Sequence, residues 1–207
     1  MRSVYKAMTN PNSAEPCKTE VRCNQVLCAA AQCFRQSGFH GASMANIART
    51  AGMSVGHIYH YFENKEAIIA AFVTFEHDKN RLILQSLIDA DNTIQAMLDH
   101  AASGLDESLD AKNISLHLEI LTEATRNPNI AAIMQESDRE LCELSYQLML
   151  KARGTLKPLP TAMMNARAEA IIALFQGFGL RSLVSQRLER DEVLAVLRQT
   201  IQHIVEH

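Results

Sequence analysis

The chain has 207 residues, 47% of them apolar, with eight glycines, five prolines and no tryptophan, enough to bury a real core as one or two domains. Its formal charge of −3 hides an asymmetry: residues 1–65 carry seven Lys/Arg against three Asp/Glu and the rest thirteen against twenty, so a basic head suited to nucleic acid precedes an acidic body with another task. No apolar run approaches the ~20 residues of a membrane helix, the opening residues lack the apolar centre of a signal peptide, and β-branched alternation is missing, which predicts an all-α, cytoplasmic chain with no membrane partner.

Residues 1–17 are polar, interrupted by Pro11 and Pro16, and read as a flexible, disordered spectator arm, with contact of Arg2 and Lys6 to a DNA groove as the alternative. A first helix over 18–36 carries Val26, Leu27, Ala30 and Phe34 at helical spacing and ends at Ser37-Gly38-Phe39. Ser43 then caps a helix with Ile47, Ala48 and Ala51 on its apolar side. Gly52 breaks that helix, Met53 fills the turn and Ser54 caps a second helix from Val55. Two short helices joined by a glycine-containing turn form the unit that enters DNA. The head is therefore drawn over 18–64, and a ligand-binding and dimerisation domain over 65–207. A fourth helix begins at Asn64-Lys65 and reaches about residue 90, with Ile68, Ile69, Phe72, Phe75 and Leu82 inward. No Gly- or Pro-rich linker separates it from the head, so it serves as a stiff lever. Further helices follow Asn92-Thr93, Asn113 and Asn127-Pro128-Asn129, the last continuing to about residue 157. Two more span about 161–185 and 190–207, about nine helices in all.

The order G-F-x-G-A-S from Gly38, I-A-x-x-A-G-M-S-x-G-x-I-Y-x-Y-F from Ile47 and N-K-E from Asn64 resembles the TetR family of bacterial regulators, the specific match covering residues 26–72. Glu123-Ala124-Thr125-Arg126-Asn127-Pro128 also looks like that family. The resemblance implies a homodimer on double-stranded operator DNA, most often a repressor, answering to a small-molecule effector. In such heads the start of the second helix reads bases, here Val55, Gly56 and His57. Gly56 lets the backbone approach base edges, His57 can donate or accept according to its tautomer, and Val55 suits a thymine methyl. Tyr59, His60 and Lys65 match positions that contact phosphate in the family, and Ser43 and Ser54 can donate to phosphate as well. Tyr61, beside Phe62, reads as a packing residue. The sequence departs from the pattern at Val55, where a longer polar residue is common, and at Glu63, which sets a negative charge near the DNA backbone.

The helix over 161–185 is apolar on nearly every side, and its Ala166, Ala170, Ala173 and Gly177 fall within about 60 degrees of arc at 100 degrees per residue. That smooth strip admits another helix. The final helix carries Leu197, Ile201 and Ile204 on one face, and two such helices from each of two chains would make the four-helix dimer seam. The effector pocket is expected among the middle helices. It takes His117, Glu119 and Glu123 from one helix, Asp138, Cys142, Tyr146 and Met149 as a mixed stripe on the next, and Phe175 beyond. Such a lining suits an apolar or amphipathic small molecule, with the acidic body favouring a cation.

Other classes have less support. No phosphate loop, HExxH or dinucleotide fingerprint is present, so neither an enzyme nor a cofactor is expected. A His57/His60 pair lacks a third ligand, so no metal is expected. Cys17, Cys23, Cys28, Cys33 and Cys142 are odd in number and without zinc-hook spacing. They read as reduced cytosolic thiols, with a redox-responsive regulator as the alternative. A purely architectural DNA-binder would not need the large acidic body.

Overall fold

A computed structural model describes residues 18–185 and 189–207; the arm over 1–17, with Arg2, Lys6 and Cys17, lies outside the described residues. Those residues form nine helices: α1 Lys18–Gly41, α2 Met44–Ala51, α3 Val55–Tyr59, α4 Lys65–Asp89, α5 Thr93–Leu109, α6 Ala111–Ala124, α7 Pro128–Arg153, α8 Thr161–Val184 and α9 Arg190–Glu206. The all-α expectation is met. Among the described residues, no helix is long and apolar enough to cross a membrane.

The chain packs as two units, one comprising residues up to Glu76 with Ser115–Gln135, the other His77–Ile114 with Glu136–His207. This grouping differs from the boundary drawn after Asn64, because α6 and the start of α7 pack with the head. In the first unit Val26, Ala30 and Phe34 of α1 meet Ile47 and Ala48 of α2, Ile58 of α3, Ile68, Ile69 and Phe72 of α4, Ile120 of α6 and Ile130 of α7. Phe34 stacks its ring edge-on to Phe72 at 6.4 Å and tilts against Phe39 at 5.4 Å. Gly38 has φ 70° and ψ 167°. That conformation is barred to side chains and ends the regular run of α1 where the sequence predicts.

In the second unit Met97, Ala101 and Leu105 of α5 pack with Leu148 and Met149 of α7, Met164 and Ala168 of α8, and Leu194, Leu197, Ile201 and Val205 of α9. Gly179 lets α8 press against α5, since a Cβ there would lie 2.8 Å from the Ser108 carbonyl oxygen. The buried Arg153 donates to the Val205 carbonyl and Arg167 donates to that of Ile204 at 2.7 Å. Together they satisfy last-turn acceptors of α9 that have no partner within the helix.

Several expectations change. α6 starts three residues before Ile114, because the Asp110 carboxylate accepts from the Lys112 N–H at 2.7 Å and its carbonyl from that of Asn113 at 3.0 Å. α7 ends at Arg153 rather than near residue 157, with Gly154 at φ 51°. Leu82 is 49% exposed rather than inward. Leu197 and Ile201, expected at a seam between chains, are 1% and 2% exposed within their own chain, and Ile204 is half-buried beside them. On α8, by contrast, Ala166, Ala170 and Ala173 stand exposed and Gly177 half-exposed.

Candidate nucleic-acid interface

The reading unit is built by local hydrogen bonds. The Ser43 hydroxyl oxygen accepts from the Asn46 N–H at 3.1 Å, and that of Ser54 from the His57 N–H at 3.2 Å. Each cap satisfies one free donor of its helix and leaves its hydroxyl proton to donate elsewhere. Between them Gly52 takes the left-handed conformation at φ 66°. Only Ile58 of α3 is buried, at 0% exposure. Val55, Gly56, His57, Tyr59 and His60 are all exposed, so the five residues expected to meet DNA from this helix lie on its open side. A Cβ at Gly56 would meet nothing within 4 Å. The free protein thus gives no packing reason for glycine there, whereas close backbone approach to a ligand does.

Tyr61 is half-buried against the head's core, as expected of a packing residue. Its hydroxyl also lies 3.2 Å from Nε2 of His57, with ring centroids 5.3 Å apart. The i, i+4 spacing that brings the two together is visible in the sequence, but the packing assignment masked it.

Lys65 does not point outward as the phosphate reading requires. Its ammonium donates to the carbonyls of Phe39 at 2.7 Å and Ala42 at 2.8 Å and sits 4.5 Å from the Phe39 ring centroid. The first lies in the last turn of α1 and the second just beyond it, and a cation at a helix C-terminus answers both their charge and their missing partners. The Asn64 side-chain Oδ1 caps α4 by accepting from the Ala67 N–H at 2.8 Å. The anomalous Glu63 carboxylate accepts from the Asn64 amide at 3.2 Å.

Glu119 and Glu123 are also placed differently from the expected pocket. The Glu119 carboxylate accepts from the Phe39 N–H at 3.1 Å, across 80 residues of sequence. The Glu123 side chain is buried and pairs with His40 Nε2 at 3.2 Å, while Asn127 donates to it at 3.3 Å. The last turn of α1 and Ala42 after it are therefore held by Lys65 from α4 and by two carboxylates from α6. Both glutamates serve the head, and the buried Glu123 carboxylate needs such donors to be tolerated.

Residues 26–72 fit the family model described as bacterial regulatory proteins, tetR family. Residues 85–206 fit the one described as the C-terminal domain of BetI-type transcriptional repressors. The protein belongs to the TetR family. It is a DNA-binding helix-turn-helix transcriptional regulator, of a family whose members are typically ligand-responsive and dimeric. It is 29% identical over 156 residues to the transcriptional regulator UidR of Escherichia coli (strain K12), covering 74% of this chain and 76% of the relative. It is 26% identical over 190 residues to BetI of Yersinia pestis (strain Pestoides F), covering 88% and 91%. Salmonella enterica GusR shares the fold with a TM-score of 0.74 at 20% identity, covering 93% of this chain and 99% of its own.

The remaining pocket residues of this TetR-family chain fall in both units. His117, in the first, is on the exposed side of α6. Crowding around its imidazole nevertheless lowers its pKa, with the Glu76 carboxylate acting in the opposite sense. In the second unit Met149 is 1% exposed and belongs to the core. Phe175 packs its ring on Gly104, where a Cβ would come within 3.0 Å. Asp138 is exposed, and Cys142 and Tyr146 are half-buried. The Cys142 thiol donates to Glu169 at 3.5 Å and to Asp138 at 3.7 Å. Burial first, then these two carboxylates, push that thiol up to about 11. Glu169 was missed from sequence because it joins this group from α8, 27 residues away.

Burial also raises Cys23, helped by Glu20, and Cys28, opposed by Arg35. Cys33 is buried against the Thr50 hydroxyl at 3.4 Å. Thiols held protonated are poor nucleophiles. Among the described residues no group of three His, Cys, Asp or Glu side chains is placed to hold a metal ion.

Proposed function

We propose that the protein is a homodimeric repressor that reads a near-palindromic operator through Val55, Gly56 and His57 and is released by a small amphipathic effector. The observation that carries the reading is the open face of α3, whose one buried side chain is Ile58. Its exposed residues offer apolar, backbone and imidazole contacts to base edges, with Tyr59, His60, Ser43 and Ser54 supplying donors for phosphate. The match of the body to BetI-type repressors supports repression over activation. A duplex enriched by the protein from a randomised pool provides the probe, with half-sites about 34 Å apart. Affinity for it falls steeply with salt as phosphate contacts release counterions. His57→Ala should change the preferred base at one position of each half-site, with little loss of stability because His57 is exposed. An unchanged preference in a full single-base substitution series would remove His57 from the reading role.

The effector is assigned to the body, at the group around Asp138, Cys142, Tyr146, Glu169 and Phe175. The Asp138 and Glu169 carboxylates disfavour a thiolate and favour a cation for the same electrostatic reason. Lys65 of α4 and Glu119 of α6 each contribute to the clamp on Phe39. An effector releases the protein only if it prefers the arrangement that does not fit DNA. A thermal-shift screen of hydrophobic cations, anions and neutral compounds tests this. A ligand at a hundred times its Kd raises Tm by roughly 5–10 °C, and genuine effectors also release the selected duplex. Stabilisation by anions alone would rule out the cationic assignment, and hits without effect on DNA would rule out the allosteric one.

A further inference from the structure

Every specific reading by His57 depends on which ring nitrogen carries the proton. A neutral imidazole offers one donor and one acceptor, and only the proton-bearing nitrogen can address the N7 and O6 acceptors of guanine. His57 lies exposed, with no cover from the core to choose between its tautomers. Tyr61 supplies the choice. Its ring packs against the head's core, which anchors the side chain, while its hydroxyl lies 3.2 Å from His57 Nε2 and its ring leans against the imidazole at 38°. The edge of the His60 ring braces the tyrosine from another side, with centroids 5.3 Å apart at 79°. α3 itself ends at Tyr59, but the Tyr61 and Phe62 N–H groups both donate to the Ile58 carbonyl at 2.9 Å. The helical path is thus kept long enough for the i, i+4 contact to form.

We propose that Tyr61 is a specificity-positioning residue that fixes both the orientation and the tautomer of His57. The inference rests on the reading of α3 as the base-reading helix. A phenol is the stronger acid and an unprotonated imidazole nitrogen the stronger acceptor, so the Tyr61 hydroxyl donates and Nε2 accepts. The imidazole proton then resides on Nδ1, and His57 meets DNA as a donor. The base edge it selects is a purine acceptor, foremost guanine, and it rejects the exocyclic amine of cytosine. Tyr61 exerts this selection through the imidazole rather than by touching the base.

The test uses the full-length protein, with and without Tyr61→Phe, which keeps the packed ring and removes only the hydroxyl. In the free protein, at a pH where the imidazole is neutral, ¹⁵N chemical shifts of His57 distinguish the two tautomers. Wild type should show a protonated Nδ1 and a bare Nε2, and Tyr61→Phe a mixture. On the duplex selected by the wild-type protein and its single-base variants, Tyr61→Phe should lower discrimination about 3- to 10-fold, the worth of one net hydrogen bond. The loss should fall at the same base pair whose preference His57→Ala abolishes. Non-specific affinity should stay at the wild-type value, Tm should fall by no more than about 5 °C, and the double variant should discriminate no worse than His57→Ala alone. A wild-type spectrum with the proton on Nε2 overturns the proposal. So does Tyr61→Phe discrimination equal to wild type where His57→Ala has changed it. If His57→Ala leaves every base preference intact, the reading of α3 falls, and the role of Tyr61 in specificity falls with it. The ¹⁵N result in the free protein separates that failure from a failure of the Tyr61–His57 contact itself.

Discussion

Gly177→Arg is expected to yield a folded protein that sediments as a monomer and binds the selected operator about 10²- to 10⁴-fold more weakly, the advantage that tethering two reading heads confers. A Cβ at Gly177 meets nothing within 4 Å, so the longer side chain finds room in the single chain. Ala166, Ala170 and Ala173 share its strip and are exposed, and Ile172, Leu180 and Leu183 on the same helix are 36%, 47% and 43% exposed. An apolar helix left this open calls for a partner, and a strip of small residues lets that partner's backbone come close. An arginine there obstructs the approach and buries a charge. Far-ultraviolet circular dichroism and Tm should remain those of a folded chain while sedimentation velocity reports the monomer. The contrasting variant is Ile201→Asp. Because Ile201 is 2% exposed in its own chain, it should unfold the second unit rather than dissociate a dimer. Gly177→Arg that remains dimeric with wild-type affinity would move the seam away from α8.

Lys65→Met should lower stability by about 2–4 kcal/mol, since hydrogen bonds to a charged group contribute about 1.5–3 kcal/mol each and partial exposure lessens the two made here. In a chain of this length that corresponds to a fall in Tm of roughly 5–15 °C. The variant keeps much of the side chain's apolar length but leaves the Phe39 and Ala42 carbonyls without the donor that holds them at 2.7 and 2.8 Å. Lys65→Arg should recover part of the loss, the planar guanidinium fitting two carbonyls less well than a compact ammonium. A lysine acting on phosphate predicts the opposite outcome: unchanged Tm, with binding weakened alike on every duplex. Differential scanning calorimetry together with affinity measured below the melting range separates the two. A loss of affinity at unchanged Tm would restore the phosphate assignment.

The sequence by itself determined the reading unit, the helical class and most element boundaries, and in each case the determining interaction is local. Ser43 caps Asn46 and Ser54 caps His57, each three residues away. Gly52 turns the chain between them because only glycine takes its φ of 66° without strain. Ile47, Ala48 and Ile58 are buried where the apolar spacing puts them. The family resemblance follows from these same local features. Tertiary structure alone decided where long side chains went and which apolar faces the chain covers for itself. Lys65 turns to carbonyls 23 and 26 residues earlier, and Glu119 to an N–H 80 residues away. Helical spacing sets the face from which a charged group leaves but not the group that meets it. Likewise Leu197 and Ile201 on α9 and the small-residue strip of α8 carry the same apolar signal. Only the packing of α9 against α5 and α8 buries the first pair and leaves the second exposed. Periodicity records that a face is apolar; whether it is covered depends on which elements come to lie on it.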